Sequence, residues 1–141
     1  VTLTALPEGH VVLLLTRVGA PAPDLVGLRP VGPGQWFLVG DSALTAEELA
    51  ALVARLPEVA VSDQSHGRVR IAVAGDRAAA MLAKGTAVDL DALPVGASTA
   101  TLVGPLGVHL TKTAETAYEL MVLRSFAAAL WHDLEAMAAE Y

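Results

Sequence analysis

The sequence predicts an α+β fold: a mostly antiparallel sheet with helices packed on one face, around a ferredoxin-like core. Three observations predict it. Helical and strand periodicities are interleaved along the chain. The segments Val59–Ala74 and Ser98–Leu123 read as strands joined by connections too short for a crossover helix, and so as antiparallel pairs. The chain has 141 residues, 54% of them hydrophobic. A chain of that length can bury roughly 68% of its unfolded surface, so a core needs no metal or disulfide staple.

The elements follow in order. Val11–Thr16 is an apolar segment read as a strand, or as an arm that packs against something large. Between Gly19 and Gly34 stand Pro21, Pro23, Gly27, Pro30, Gly32 and Pro33, which exclude a helix or a central strand. Residues 1–34 are therefore expected to be an arm and linker, and residues 35–141 a single α+β domain. Trp36–Val39, ended by Gly40, is a short buried strand. Thr45–Leu56 is the clearest helix. Leu49, Leu52, Val53 and Leu56 form one stripe, Thr45 and Glu48 make a capping-box pattern, and Pro57 stops the helix. Val59–Asp63 is a short strand. Gly67–Ala74 alternates, with Val69, Ile71 and Val73 on one face and Arg68, Arg70 and Ala72 on the other. Asp76 is expected to cap a short helix carrying Met81 and Leu82, with Gly85 as its left-handed terminator. Ser98–Val103 and Val108–Lys112 pair across Gly104–Gly107, and Tyr118–Leu123 is a further strand. Ser125–Tyr141 is the last helix, with Phe126, Leu130, Leu134, Met137 and Tyr141 on one stripe.

Composition narrows the function. Fifteen acidic and nine basic side chains give a net charge of −6, so nucleic acid is not an expected partner; Arg68, Arg70 and Arg77 are too few to reverse that balance. The longest apolar runs, Val11–Leu15 and Phe126–Trp131, fall far short of the roughly 18–20 residues a membrane helix needs. No basic segment precedes Val11–Leu15, so no signal peptide is read and a cytoplasmic location is expected. There is no cysteine, which excludes a thiol nucleophile, a disulfide scaffold and a cysteine-type zinc site. Charged residues make up 17% of the chain, against a norm of about 25%. That scarcity favours a surface partly covered by a partner.

The search for chemistry finds little. His10, His66, His109 and His132 lie far apart, without an i+4 pair or an HExxH pattern. Asp63, Ser65 and His66 hold the letters of a hydrolase triad, but neighbours along a strand or turn cannot line up as nucleophile, base and orienter. A turn whose side chains bond backbone amides is the simpler reading. Gly32-Pro-Gly34 and Gly104-Pro-Leu-Gly107 match no phosphate-binding loop. Asp89 and Asp91 read as a solvated turn before they read as a cation site. Trp36 and Trp131 are either half-buried core edges or interface anchors, a role in which Trp is enriched. With Tyr141, His66 and Arg68 they are the candidate interface residues. No catalytic, cofactor-binding or metal-binding residue is assigned to the chain.

Several segments together resemble one family. Gly75-Asp-Arg-Ala-Ala-Ala-Met-Leu-Ala-Lys-Gly85 followed by Val88-Asp-Leu90 is similar to that family's SGPxARDVLAKGCPLDL segment. Val61-Ser-Asp63, Trp36-Phe-Leu-Val-Gly40 and Tyr118-Glu-Leu-Met-Val-Leu-Arg-Ser-Phe-Ala127 are similar to the rest of its pattern. The family is the gamma subunit of heterotetrameric sarcosine oxidase, related in fold to the aminomethyltransferase domain of glycine cleavage. The likeness runs from about Gln35 to Tyr141; Gly19–Gly34 matches poorly, and Thr86-Ala87 stands where the family has Cys-Pro.

The resemblance implies a complex that oxidises sarcosine to glycine and hydrogen peroxide and passes the methyl carbon to tetrahydrofolate. It implies alpha, beta and delta partner subunits holding FAD, FMN, NAD, zinc and the folate, with no cofactor and no catalysis in the gamma chain. The alternative is a free-standing module of the aminomethyltransferase type that binds folate or a similar ligand in a cleft lined by a carboxylate such as Asp63 or Asp89. Against that alternative, folate-handling domains of this kind are several hundred residues long.

Overall fold

A computed structural model describes residues 1–141. The fold is α+β and its strand pairs are antiparallel. The strands divide into two sheets rather than one, and the chain into two compact units: Val1–Leu6 with Gly67–Tyr141, and Pro7–His66.

The Pro7–His66 unit contains β2 (His10–Leu15), β3 (Leu28–Gly32), β4 (Gln35–Gly40), α1 (Ala46–Arg55) and β5 (Ala60–Asp63). Its sheet runs β3-β4-β2-β5. The expected arm is thus the inner strand β2, hydrogen-bonded to β4 on one side and β5 on the other. The boundary expected at Gly34 falls instead in the turn between the paired strands β3 and β4. Pro30 is accommodated because β3 is an edge strand with a bulge after it, where a missing amide leaves no ladder bond unmade. Val12, Leu14 and Leu38 meet Leu52 of α1 in one cluster. Val11, Phe37 and Val39, on the opposite face, are buried as well, which explains why β2 reads as a continuous apolar run and not an alternating one.

The helix α1 forms as its capping box requires. The Glu48 amide donates to Thr45 Oγ1 at 3.1 Å, and the Thr45 amide donates to Glu48 Oε1 at 3.3 Å. Such a cap contributes about 1 kcal/mol. Leu49, Leu52 and Leu56 join the cluster, whereas Val53 sits at its exposed rim.

The other unit contains β1 (Thr2–Ala5), β6 (Arg68–Ala74), α2 (Ala78–Leu82), β7 (Ser98–Val103), β8 (Leu106–Ala114), β9 (Ala117–Leu123) and α3 (Ala127–Ala138). Its sheet runs β1-β6-β9-β8-β7. Both helices pack on one face, where Ile71, Val73, Leu110, Leu120 and Val122 meet Met81, Leu82, Leu130 and Leu134. Each such side chain contributes about 1.5–3 kcal/mol when fully buried. The β7–β8 hairpin closes through Gly104 and Pro105, with Gly104 at φ +56°, a backbone state that favours glycine at the first position of a two-residue turn.

Four local expectations are corrected. Strands β5 and β6 do not pair as a hairpin: β5 joins β2, and β6 lies between β1 and β9. Asp76 does not cap α2, whose N-cap is Arg77 without a side-chain bond. Gly85 is not left-handed; it is small because a Cβ there would stand 3.2 Å from the Met137 sulfur and from Val103 Cγ1. Phe126 lies in a 3-10 turn ahead of α3 and is exposed, so the last stripe begins at Leu130.

Candidate functional site

Among the residues that resemble a triad, the chemistry is internal bonding. The Ser65 hydroxyl donates to Asp63 Oδ1 at 2.6 Å, and the Ser65 amide donates to the same oxygen at 3.0 Å. The Val11 amide donates to Ser65 Oγ at 3.0 Å, so this hydroxyl pins β2 beside the turn. His66 turns away: its imidazole is 89% exposed and pairs with the Glu8 carboxylate. The two bonds from Ser65, with smaller help from the nearby His66 and His10 imidazoles, hold the Asp63 carboxyl below its usual pKa. Serine, imidazole and carboxylate are therefore not in series.

The structure distributes the expected interface residues between the two units. Trp36, on β4, is half-buried against the Leu14 and Leu38 cluster and donates from Nε1 to Thr16 Oγ1 at 3.4 Å. Trp131, on α3, is half-buried at the edge of the Leu130 and Leu134 core. The Tyr141 ring lies 4.5 Å from the Arg77 guanidinium and 4.9 Å from the Lys84 ammonium, a cation–π arrangement. Arg68 opens β6, and its burial lowers the pKa of its guanidinium.

Three buried polar groups escape a reading by periodicity. Arg70 is 3% exposed and pairs with Glu119 at 3.3 Å. His109, on β8, faces Met121 in the register and is buried. Lys112 is 4% exposed, and its ammonium donates to the Leu90 carbonyl at 3.2 Å. The Tyr118 hydroxyl donates to the same carbonyl at 3.4 Å. Lys112 and Tyr118 thereby fasten the segment around Leu90 to the sheet. The available signal was Glu119 interrupting the otherwise largely apolar strand β9.

Each unit has one notable cavity. In the Pro7–His66 unit a cavity of about 530 Å³ opens between the segment Thr16–Pro23 and the residues from Leu56 to Val59. In the other unit a cavity of about 390 Å³ is lined by α2 and by Val88–Asp91, with the carboxylates of Asp76, Asp89 and Asp91 on its walls. Asp89 Oδ1 accepts from the Ala92 amide at 3.2 Å, as the turn reading expected. No group of three or more His, Asp or Glu side chains is arranged to hold a metal ion. No helix is long and apolar enough to cross a membrane.

Comparison with known proteins supplies the family. No curated protein sequence matches the chain. The fold is similar to a chain of the heterotetrameric sarcosine oxidase from Corynebacterium sp. U-96, solved in complex with pyrrole 2-carboxylate. That likeness has a TM-score of 0.81 at 22% identity and covers 97% of this chain and 83% of that one. The family model for the sarcosine oxidase gamma subunit matches residues 11–140. It therefore takes in the whole Gly19–Gly34 stretch and nearly all of both units, and this chain belongs to the sarcosine oxidase gamma subunit family.

Proposed function

We propose that this chain is the gamma subunit of a heterotetrameric, cytoplasmic sarcosine oxidase and that it owns no reactive centre. It acts by contact with alpha, beta and delta subunits. Those partners hold the FAD, FMN, NAD, zinc and tetrahydrofolate with which sarcosine is oxidised to glycine and hydrogen peroxide. The family match over residues 11–140 carries this reading. The bonding of Ser65 to Asp63, rather than to an imidazole, agrees with it. The half-buried Trp36 and Trp131, with Tyr141, His66 and Arg68, are the proposed contact residues.

A free-standing folate-binding module fits less well. The cavity that carries Asp89 presents three carboxylates and no basic side chain, and like charges repel the glutamyl carboxylates of a folate. Asp63 is already engaged by Ser65.

Co-expression with the neighbouring genes, followed by size-exclusion chromatography, tests the reading. Co-elution with flavin-absorbing chains, together with an isolated chain inert toward sarcosine, is the expected result. Turnover of sarcosine by the isolated chain, or stoichiometric flavin binding to it, would overturn it.

A further inference from the structure

The five-stranded sheet ends at β7, and that edge is built unlike the others. Edge strands usually protect themselves by being very short, or with a charge, a proline or a bulge. Strands β1 and β5 are four residues long, and β3 carries Pro30 and a bulge. Strand β7 has six residues, Ser-Thr-Ala-Thr-Leu-Val, without a charge, a proline or a register shift. The two-residue turn makes Val103 and Leu106 a hydrogen-bonded pair, and by alternation Thr101 and Thr99 also bond to β8. The amides and carbonyls of Ser98, Ala100 and Leu102 therefore point away from the sheet. The outward carbonyls of Ala100 and Leu102 meet only the Thr99 and Thr101 hydroxyls, at 3.4 and 3.5 Å. The next outward amide, Gly104, is taken by the Gly85 carbonyl at 2.9 Å, and at the other end the Gly96 amide turns to the Lys112 carbonyl at 2.7 Å. Ala100 is exposed, and so is Leu102, at 57%.

We infer that β7 pairs antiparallel with β7 of a second copy of this chain, about a two-fold axis at Ala100. The inference concerns the chain by itself and stands apart from its reading as a gamma subunit. The free run from Ser98 to Leu102 is centred on Ala100. This register sets Ala100 opposite Ala100 and Ser98 opposite Leu102, and so uses every outward group with none left over. In an antiparallel ladder each of those pairs exchanges both of its bonds. A foreign strand could offer the same backbone; the side chains select an identical one. Thr99 falls opposite Thr101 of the second copy, in the type of pair whose side chains stand closest, and Thr–Thr is a favourable cross-strand pair. Ala100 is small enough to meet its like across the axis, and the strand has no charge to repel its own copy. Pairing also covers the exposed Leu102 side chain beside Ser98 of the second copy. The contact is isologous, so it closes at two copies.

Sedimentation of the full chain, purified alone, tests this. The expected particle has twice the chain's 14.5 kDa. Ala100→Lys and Ala100→Glu each set like charges opposite one another across the axis, from an exposed position. Each is expected to weaken the dimer at least tenfold, with the circular dichroism unchanged. An equimolar mixture of the two variants is expected to restore the dimer, because the mixed pair carries opposite charges. A wild-type chain that stays monomeric at tens of micromolar overturns the inference. A dimer that both variants leave intact places the contact elsewhere and also overturns it, as does a mixture that fails to restore what each variant lost.

Discussion

Replacing Glu119 with leucine should destabilise the chain by about 3–5 kcal/mol, the usual cost of breaking a buried ion pair from one side. Arg70 lies on β6 opposite Met121, and Glu119 lies diagonally across on β9, opposite Ala72. Their side chains are 3% and 7% exposed and meet at 3.3 Å. At that separation and an effective dielectric near 20 the attraction is about 5 kcal/mol. Desolvating the two ions costs several kcal/mol each, so the pair adds little net stability but is expensive to halve. E119L leaves the Arg70 guanidinium buried without that carboxylate. R70M/E119L removes both ions and fills the space with apolar atoms, and should lie within about 1 kcal/mol of the wild type or above it. Urea unfolding of the four chains in the cycle, followed by circular dichroism, measures the coupling directly. A single variant within about 1 kcal/mol of wild type, or a double variant as unstable as the single, would refute the argument that burial dominates this pair.

Other consequences follow from single contacts. Asp63 is held below its ordinary pKa in the folded chain, chiefly by the Ser65 hydroxyl and then by the Ser65 amide. Its ionised form therefore adds stability that is fully present above the unfolded pKa and is lost as pH falls through the lower folded value. Because the carboxylate is largely exposed, the effect should be only a few tenths of a kcal/mol. The urea midpoint of D63N should fall less steeply than that of wild type in the acid limb, and parallel curves would dismiss the Ser65 bonds as a cause. Gly27 stands at φ +85°, and a Cβ there would press on the Val39 carbonyl oxygen within van der Waals contact. Gly27→Ala should cost about 1–3 kcal/mol through backbone strain, read as a lower thermal midpoint; an unchanged midpoint would mean that the loop simply moves aside.

Much of this protein could be read from short stretches of sequence. The capping box of Thr45 and Glu48 forms between residues three apart, and the β7–β8 hairpin turns on two residues, Gly104 and Pro105. The alternation over Gly67–Ala74 put Val69, Ile71 and Val73 on one face, and that face packs on the core. In each case the deciding partners are near neighbours, so a local pattern holds all the information. Pro30 excludes a central place whatever strands surround it, but nothing local showed that Leu28–Gly32, read as linker, forms the edge strand β3.

Only the tertiary structure decided which strands share a sheet. Period-two alternation says which side chains share a face, but not which distant strand pairs alongside. Thus β5 and β6, close in sequence, join different sheets, while Thr2 pairs with Ala74. Alternation equally says nothing about whether the second face meets water. Arg70, on the face opposite Ile71 and Val73, forms a buried ion pair with Glu119, and Lys112 is a buried donor to Leu90. Strand pairing and burial are properties of residues brought together from far along the chain, and they take their values only once the whole chain has folded.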